Sequence, residues 1–370
     1  MDLNNVFAEN LKRVRTEKGL TQSQLGDVLG YSNKAISKWE SGGGIPGVET
    51  LLHISRLLEV DLNTLLRTED PSYFLGIDGG GTKTALALAD ANGRILRNIQ
   101  VPGCNPVDIG IERSQAVLKS AIDEILGTIP RSSVSVYAGI AGGTTGNHQQ
   151  LLGEFFQSLG FHRAQNHNDA QNAIAAALRG KDGVLAILGT GSIVYAVAGQ
   201  TRHRIGGYGH LFGDAGSGYN IGNLGIQAAF AATDGSGPDT LLKAKIDSYA
   251  GAEYPVNVAF FYRGGKRCIA DCAPLVLEAY SEGDAVAEQI LVSAMTSFAP
   301  QLIAASRLVP ENAPIVLAGG LMRQAELLLP LLKSKLPENI ASRITVCREV
   351  PVIGSLLLAG APLEKGETEC

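Results

Sequence analysis

The stretch Gly76-Ile-Asp-Gly-Gly-Gly-Thr-Lys-Thr84 decides the fold of most of this chain, because it joins two apolar strands and not a strand and a helix. Tyr73-Phe-Leu75 precedes the glycines, and Ala85-Leu-Ala-Leu-Ala89 follows them. Consecutive glycines leave backbone N–H groups unobstructed, so a phosphate can approach closely. Asp78 adds a carboxylate at which Mg²⁺ could bind. The spacing matches neither G-x-x-x-x-G-K-[ST] nor G-x-G-x-x-G, which excludes the P-loop and dinucleotide motifs.

A second glycine turn of the same kind lies in Leu185-Ala-Ile-Leu-Gly-Thr-Gly-Ser-Ile-Val-Tyr-Ala-Val197. A third strand is predicted after each turn, over Arg94–Arg97 in the first half and over 203–205 in the second. A third glycine turn, Val316-Leu-Ala-Gly-Gly-Leu321, leads into a predicted helix. The repetition predicts two similar lobes that face each other across a nucleotide-binding cleft. The alternative is three unrelated turns in a glycine-rich chain.

The composition, with 45% hydrophobic residues, 18% charged residues and a net charge of −5, is that of a soluble globular protein of about three lobes. No apolar run approaches the roughly 18 residues that span a bilayer, and the first residues have no basic region or apolar core. Five irregularly spaced cysteines favour a reducing compartment. We therefore expect a cytoplasmic protein with no membrane partner. The pair Cys268 and Cys272 is interpreted as packing residues, because no other cysteine or histidine lies at metal-ligand spacing.

Residues 5 to 67 are predicted to form five short helices. Thr21 and Ser32 are suitable caps for helices over Gln22–Leu29 and Asn33–Glu40. The Gly-Tyr-Ser connection between them is typical of a helix-turn-helix, whose second helix enters the major groove of DNA. Basic residues of the first helix could add phosphate contacts; these are Lys12, Arg13, Arg15 and Lys18.

This segment resembles the phage-repressor (Cro-like) helix-turn-helix family in Leu20-Thr-Gln-Ser-Gln-Leu-Gly26 and in Tyr31-Ser-Asn-Lys-Ala-Ile-Ser-Lys-Trp-Glu-Ser-Gly42. The resemblance implies backbone contacts to an operator DNA from Gln22 and Ser32. It implies contacts to base edges and nearby phosphates from Asn33, Lys34 and Lys38. Because such domains generally bind as pairs to pseudo-palindromic sites, a homodimer is expected.

From Tyr73 onward, strands and helices alternate in an α/β pattern. Strands are predicted over Ser133–Ala138, Ala164–His167, Gly183–Leu188, Ile315–Ala318 and 344–347. Helices are predicted over Glu112–Leu126, Gln149–Leu159, Ala170–Leu178, Ser217–Ala232, Met322–Lys335 and Ile353–Gly360.

Asp169 lies in Asn166-His-Asn-Asp-Ala-Gln-Asn172, at the junction of a predicted strand and helix. Phosphoryl transfer needs one carboxylate to deprotonate the acceptor hydroxyl and a metal on the phosphates. Asp169 fits the first role and Asp78 the second, although Asp169 also suits a simple helix cap. The loop Gly206–Tyr219 has six glycines in fourteen residues, a composition that suits a loop which surrounds a small polar ligand and binds it through backbone groups. The amide of Asn105 can donate to and accept from a sugar hydroxyl.

These motifs, in this order, make residues 73–363 resemble the BadF/BadG/BcrA/BcrD ATPase family and, within it, the N-acetylglucosamine kinases. The resemblance implies an actin/hexokinase-type (ribonuclease H-like) two-lobed fold, with Asp169 as the base for the sugar 6-hydroxyl. It implies sugar contacts from Asn105, Gly207, Asp214 and Gly218. ATP, with Mg²⁺ on Asp78, would be held by Asp78, Gly79, Gly80, Gly81, Thr82, Lys83, Thr84, Gly189, Thr190, Gly191, Ser192, Gly319 and Gly320.

Two features qualify the resemblance. Ala141 stands where family kinases tend to have serine, which could alter the sugar preference. The dehydratase-activating branch, which holds an iron–sulfur cluster by cysteines, is disfavoured because the regions around Asp169 and Asp214 contain none.

The sequence thus predicts an all-α helix-turn-helix domain over 1–68 and a linker over 69–72. It predicts a first actin-like lobe over 73–180 with a C-terminal helix over 352–363, and a second lobe over 181–351. The predicted function is ATP-dependent phosphorylation of an amino sugar, coupled to transcription. The alternative is a catalytically silent regulator that only senses sugar and ATP.

Overall fold

The computed structural model describes residues 3–66 and 71–363. Within those two ranges, no helix is both long enough and apolar enough to cross a membrane. The described chain has an all-helical N-terminal domain, followed by two mixed sheets covered by helices. The predicted linker, 69–72, lies partly outside the described residues.

The N-terminal domain contains α1 (Leu3–Glu17), α2 (Gln22–Leu29), α3 (Asn33–Glu40), α4 (Val48–Leu58) and α5 (Leu62–Leu66). The predicted bounds of α2 and α3 are confirmed, because local capping fixes both starts. The Thr21 side chain accepts from the Gln24 N–H, and the Gln24 side chain accepts from the Thr21 N–H. The core is apolar and fully enclosed at its centre, where it contains Phe7, Leu11, Leu25, Ile36, Ile54, Leu58 and Leu65.

The first sheet contains β1 (Tyr73–Gly79), β2 (Lys83–Asp90), β3 (Ile95–Pro102), β4 (Val134–Ile140) and β5 (Arg163–His167). Their spatial order is β3-β2-β1-β4-β5. The β1–β2 and β2–β3 pairs are antiparallel, and the β1–β4 and β4–β5 pairs are parallel. The sequence underestimated β3, whose exposed polar residues hide its length. Helices α6 (Pro106–Ile109), α7 (Ile111–Leu126) and α8 (His148–Ser158) belong to this lobe.

The second sheet contains β6 (Gly183–Leu188), β7 (Ser192–Ala198), β8 (Thr201–Gly206), β9 (Ile315–Ala318) and β10 (Ile344–Val346). Its order, β10-β9-β6-β7-β8, and its pairing directions repeat those of the first sheet. The structure therefore confirms the internal duplication that the two glycine hairpins predicted.

The second lobe also contains a helical insertion that the sequence analysis described only in part. It comprises α10 (Gly218–Asp234), α11 (Leu242–Ala250), α12 (Val258–Ala270), α13 (Ala273–Ser281) and α14 (Ala285–Ser306). Helices α11 to α14 were not predicted. Helix α14 is apolar on most of its surface and lacks a clear amphipathic period. The single helix predicted over Met322–Lys335 is instead a 3₁₀ turn (Gly320–Gln324) followed by α15 (Ala325–Lys333). The short helix α16 (Glu338–Ala341) then precedes β10.

Two helices, α9 (Ala170–Leu178) and α17 (Pro351–Ala359), connect the lobes. Helix α17 packs on the first sheet around Phe74 and Tyr137, whereas α9 packs on the second sheet around Leu185 and Val316. The helices touch each other at Gly354, where any side chain would overlap the Asn172 backbone. This contact fixes the start of α9, and therefore Asp169, relative to β1.

Candidate active site

Asp78, near the end of β1, accepts a hydrogen bond from the side chain of Asn172 of α9. The Asn172 Nδ2 donates to Asp78 Oδ1 at 2.7 Å, to the Gly139 carbonyl at 3.0 Å and to the Ile77 carbonyl at 3.3 Å. Asn172 is fully buried, and a side chain at Gly139 would overlap its amide. This role of Asn172 was not predicted, because nothing in the sequence distinguishes the residue from its polar neighbours.

The negative charge of Asp78 is only partly compensated by neighbouring groups. Burial raises its pKa to about 6; the Asn172 hydrogen bond opposes this shift, the Asp169 charge adds to it and Lys83 opposes it. Asn172, which holds Asp78, lies one turn of α9 after Asp169, so the two carboxylates belong to the same region of the first lobe. A buried carboxylate that lacks compensating positive charge suits a divalent cation. Among the described residues, no group of three or more His, Cys, Asp or Glu could hold a metal by itself, so a Mg²⁺ at Asp78 would take its other ligands from water or phosphate oxygens.

Asp169 is the residue immediately before α9. Its side chain makes no capping hydrogen bond to the helix and remains exposed at the cleft. Surrounding protein raises its pKa by desolvation, and the backbone N–H groups of Asp169 and Ala170 oppose that shift. The carboxylate is therefore open to a substrate hydroxyl at the N-terminal end of a helix.

The first glycine turn lies beside the loop that carries Asn105. The Cys104 N–H donates to the Gly80 carbonyl at 3.0 Å, and the Ala141 N–H donates to the Gly79 carbonyl at 2.7 Å. At the tip of the turn, Gly81, Thr82 and Lys83 are exposed. Thr84 differs, since its hydroxyl is buried and donates to the Pro102 carbonyl.

Asn105 caps α6 with its side chain, whose Oδ1 accepts the Val107 N–H at 3.0 Å. Its Nδ2 donates to Asp108 Oδ2 at 2.8 Å. The amide group is thus oriented by its own loop before any sugar arrives.

The second glycine turn is hydrogen-bonded to the side chain of Asp214. The Asp214 Oδ1 accepts the Ser192 N–H at 3.2 Å, and Oδ2 forms an ion pair of 2.8 Å with Lys266 Nζ. Only 3% of Asp214 is exposed, and its φ of 61° lies in the left-handed region. The predicted contact of Asp214 with sugar stays a prediction, because both of its oxygens already bind protein groups.

The remaining residues predicted to bind ATP or sugar lie in this second turn or next to it. Gly218 donates its N–H to the Gly189 carbonyl at 2.8 Å, which places it with the turn and not with Asn105. The Ser192 hydroxyl faces inward and donates to the Ala215 carbonyl, whereas Thr190 is exposed. Because β9 pairs with β6 in parallel, Gly319 and Gly320 emerge beside Gly189. The cleft therefore has glycine turns on both lobes.

In the N-terminal domain, four of the residues predicted to contact DNA are exposed: Asn33, Lys34 and Lys38 of α3, and Ser32, which caps that helix. Gln22 is partly buried and donates to Glu40 Oε2 at 2.8 Å. Arg15 is also held by Glu40, with Nε–Oε1 and Nη2–Oε2 distances of 2.5 and 2.9 Å. Arg15 therefore ties α1 to α3 and is not a free phosphate contact.

The fold and the paired glycine turns define a two-lobed actin/hexokinase-type kinase fold, joined to a helix-turn-helix domain. Sequence comparison matches residues 75–359 to the BadF/BadG/BcrA/BcrD ATPase family and residues 11–65 to the helix-turn-helix family. The chain belongs to the BadF/BadG/BcrA/BcrD ATPase family and carries an N-terminal helix-turn-helix domain of the DNA-binding type.

Several relatives are similar to each part. The N-acetylmuramic acid/N-acetylglucosamine kinase of Clostridium acetobutylicum is 33% identical over 60% of this chain and 75% of its own length. The N-acetyl-D-glucosamine kinase of Dictyostelium discoideum is 28% identical over 77% of this chain and 97% of its own. The transcriptional activator BcrR of Enterococcus faecalis is 48% identical, over 17% of this chain and 31% of its own length.

Solved structures agree on the fold. A putative N-acetylglucosamine kinase from Chromobacterium violaceum superposes with a TM-score of 0.63 at 27% identity, over 78% of this chain and 99% of its own. A ROK family transcriptional regulator covers 97% of this chain and 96% of its own, with a TM-score of 0.52 at 13% identity, a likeness of fold alone.

Proposed function

We propose that this protein phosphorylates an amino sugar, N-acetylglucosamine or a close relative, with ATP as the phosphoryl donor and Mg²⁺ on the phosphates. The observation that supports the proposal is that Asn172, one turn of α9 after Asp169, donates to Asp78 at the end of β1, so that both carboxylates lie near the first glycine turn. The names of the kinase relatives support the amino-sugar class.

In the proposed reaction, Asp169 accepts the proton of the sugar 6-hydroxyl while the hydroxyl oxygen attacks the terminal phosphorus of ATP. Desolvation strengthens Asp169 as a proton acceptor, because it raises the pKa of the carboxylate. Asp78 would orient Mg²⁺, which neutralises charge on the transferring phosphoryl group. The exposed backbone amides of the turns would bind the phosphate oxygens.

Replacing the proposed base tests this function. Asp169→Asn should lower kcat for sugar phosphorylation about 10²–10⁴-fold and leave the affinity for ATP close to that of the wild type. A coupled ADP-release assay measures kcat, and calorimetric titration measures ATP binding. Asp239→Asn, which removes the same charge from an exposed position between α10 and α11, is the matched control. Unchanged turnover of Asp169→Asn would remove the residue from the proposed role.

The N-terminal domain supports a second part of the proposal: a homodimer binds operator DNA, and the sugar or nucleotide state of the cleft regulates that binding. The observation behind it is the exposed α3 face on the same chain as the kinase fold. If the cleft only senses its ligands, DNA binding will respond to sugar and ATP although no ADP is released. Gel-shift titrations with and without sugar and ATP, beside the ADP assay, separate this alternative from an active kinase. DNA binding that ignores every amino sugar would contradict regulation.

A further inference from the structure

A pocket of about 400 Å³ lies in the second lobe between α10 and α12. Phe230 of α10 and Phe261 of α12 form part of its apolar wall, and their ring centroids are 6.3 Å apart. Tyr262 of α12 also lines the pocket, although 86% of this residue is exposed. Gly265, with φ of 60° and ψ of −156°, interrupts α12 where the helix borders the pocket. The pocket therefore presents aromatic rings to a ligand, and one of them is open to solvent.

Two amide side chains of α10 line the same pocket. Asn223 and Gln227 are one helical turn apart, so they extend from the same side of the helix. Asn223 is half-buried and Gln227 is exposed. Within residues 3–66 and 71–363, neither side chain forms a hydrogen bond to the protein. Because a side-chain amide both donates and accepts, this pair can bind hydroxyl or amide groups of a ligand.

The positive charge in the pocket wall is already balanced. Lys266 lines the pocket, and its Nζ forms an ion pair of 2.8 Å with Oδ2 of the buried Asp214. An anionic ligand would have to displace the Asp214 carboxylate from Lys266, which would leave Asp214 buried and unpaired. The described residues that line the pocket include no Asp or Glu to attract a cation. The wall therefore suits a neutral ligand.

One end of the pocket adjoins the second glycine turn. Tyr219 lines the pocket, and its N–H donates to the carbonyl of Thr190 in that turn at 3.1 Å. The ring of His210, which also lines the pocket, lies 4.8 Å from the Tyr219 ring. Both residues belong to the loop Gly206–Tyr219, which is predicted to surround the sugar. Among the described lining residues, none comes from the third glycine turn, which is predicted to bind ATP. The position of the pocket therefore favours a carbohydrate over the nucleoside of ATP.

We propose that this pocket binds a neutral saccharide ring, in addition to the amino sugar expected at Asn105 and Asp169. The C–H groups on one face of a pyranose pack against an aromatic ring, and the hydroxyl groups at its rim bond to amides. The ring belongs either to a disaccharide whose other ring lies beside Asp169 or to a separate sugar molecule. The inference rests on the proposed kinase function and adds a second carbohydrate site to it. The ring in the pocket does not react: the 6-hydroxyl oxygen beside Asp169 takes the phosphoryl group, ADP leaves and Asp169 accepts the proton.

Calorimetric titration of the full-length chain compares N-acetylglucosamine with N,N′-diacetylchitobiose, a disaccharide of two N-acetylglucosamine units. If the pocket holds the second ring of one molecule, wild type should bind the disaccharide about tenfold more tightly than the monosaccharide. If it holds a separate molecule, a second N-acetylglucosamine should bind to each chain. Tyr262→Ala removes the exposed ring and Asn223→Leu removes one amide, and each should lower the disaccharide advantage about three- to tenfold or abolish the second binding event. Leu308→Ala, which removes an exposed apolar side chain from the same lobe, should leave both measurements at their wild-type values.

The failure of this inference and the failure of the kinase proposal give different results. If wild type releases ADP with N-acetylglucosamine but binds one molecule of it and gains nothing from the second ring, the inference is wrong and the kinase proposal stands. A disaccharide advantage that persists in both pocket variants would also overturn the inference. An increased KM for ATP with unchanged sugar binding in these variants would assign the pocket to the nucleotide and overturn it as well. If neither sugar leads to ADP release, the kinase proposal fails, and the same titrations, which need no phosphoryl transfer, still decide whether the pocket binds a saccharide.

Discussion

Replacing Asp78 by asparagine should stabilise the protein while it abolishes phosphoryl transfer. The carboxyl group has a pKa of 3.8 when unperturbed and about 6 in the fold, chiefly because of burial. A difference of about two pKa units corresponds to about 3 kcal/mol of unfolding free energy lost at neutral pH. Asparagine carries no charge to desolvate and still accepts the Asn172 hydrogen bond through Oδ1. Partial solvation of the site lowers the expected gain to about 1–3 kcal/mol.

The sign of this effect depends on pH. Between about pH 4 and pH 6 the folded state binds more protons at Asp78 than the unfolded state does, so wild-type stability falls as pH rises through that window. Asp78→Asn lacks this contribution. The stability gap between the variant and wild type should therefore be small near pH 4.5, grow up to about pH 6 and stay constant above pH 7.

Urea unfolding of the kinase lobes at pH 4.5 and 7.5, in EDTA to exclude divalent cations, measures the gap. Asp182→Asn is a suitable control, because this carboxylate lies at the other end of the second sheet and accepts the Gly199 N–H at 2.7 Å. A variant that is no more stable than wild type at pH 7.5, or a gap that is equal at both pH values, would refute the view that Asp78 is an uncompensated charge. Loss of kinase activity without a gain in stability would leave a catalytic role but not this electrostatic one.

Three further outcomes follow from single contacts. Gly139→Ala should lower kinase activity and cost about 2–3 kcal/mol of stability in urea unfolding, because the new methyl group displaces the Asn172 amide. Glu40→Ala should unfold the N-terminal domain and abolish DNA binding in gel shifts, since removal of one partner leaves the largely buried Arg15 cation unpaired, at about 3–5 kcal/mol; sugar phosphorylation should persist. Lys34→Ala should weaken DNA binding at all sequences and reduce the salt slope of log Kobs by about 0.9 if the lysine contacts one phosphate.

Matched variants control these measurements. Gly153→Ala adds the same methyl group within α8, 3.4 Å from its nearest neighbour, and should be neutral or slightly stabilising. Lys243→Ala removes an exposed charge from α11 and should leave the salt slope unchanged. A Gly139→Ala protein as stable and active as Gly153→Ala would contradict the assigned role of Asn172. A Glu40→Ala protein that still binds operator DNA would show that the ion pair with Arg15 does not hold the domain together.

Local signals were sufficient for several elements. The capping residues Thr21 and Ser32 fixed the starts of α2 and α3, and the glycine turns flanked by apolar runs identified the hairpins of both sheets. Both are short-range effects that a few neighbouring residues determine. Helix α14 was not predicted, because it carries apolar residues around most of its circumference and so lacks the amphipathic period on which such predictions depend.

The sequence by itself determined the lobed architecture, the helix-turn-helix and the candidacy of Asp78 and Asp169, since these depend on spacing and residue type along the chain. Only the tertiary structure decided which groups contact one another. Asn172 reaches Asp78 because α9 and α17 cross at Gly354. Asp214 binds the second turn through the Ser192 N–H, and its other oxygen pairs at 2.8 Å with Lys266, which is 52 residues away in sequence. Charge, burial and hydrogen-bond partners depend on distances between segments far apart in the chain, and these distances exist only after the lobes have packed.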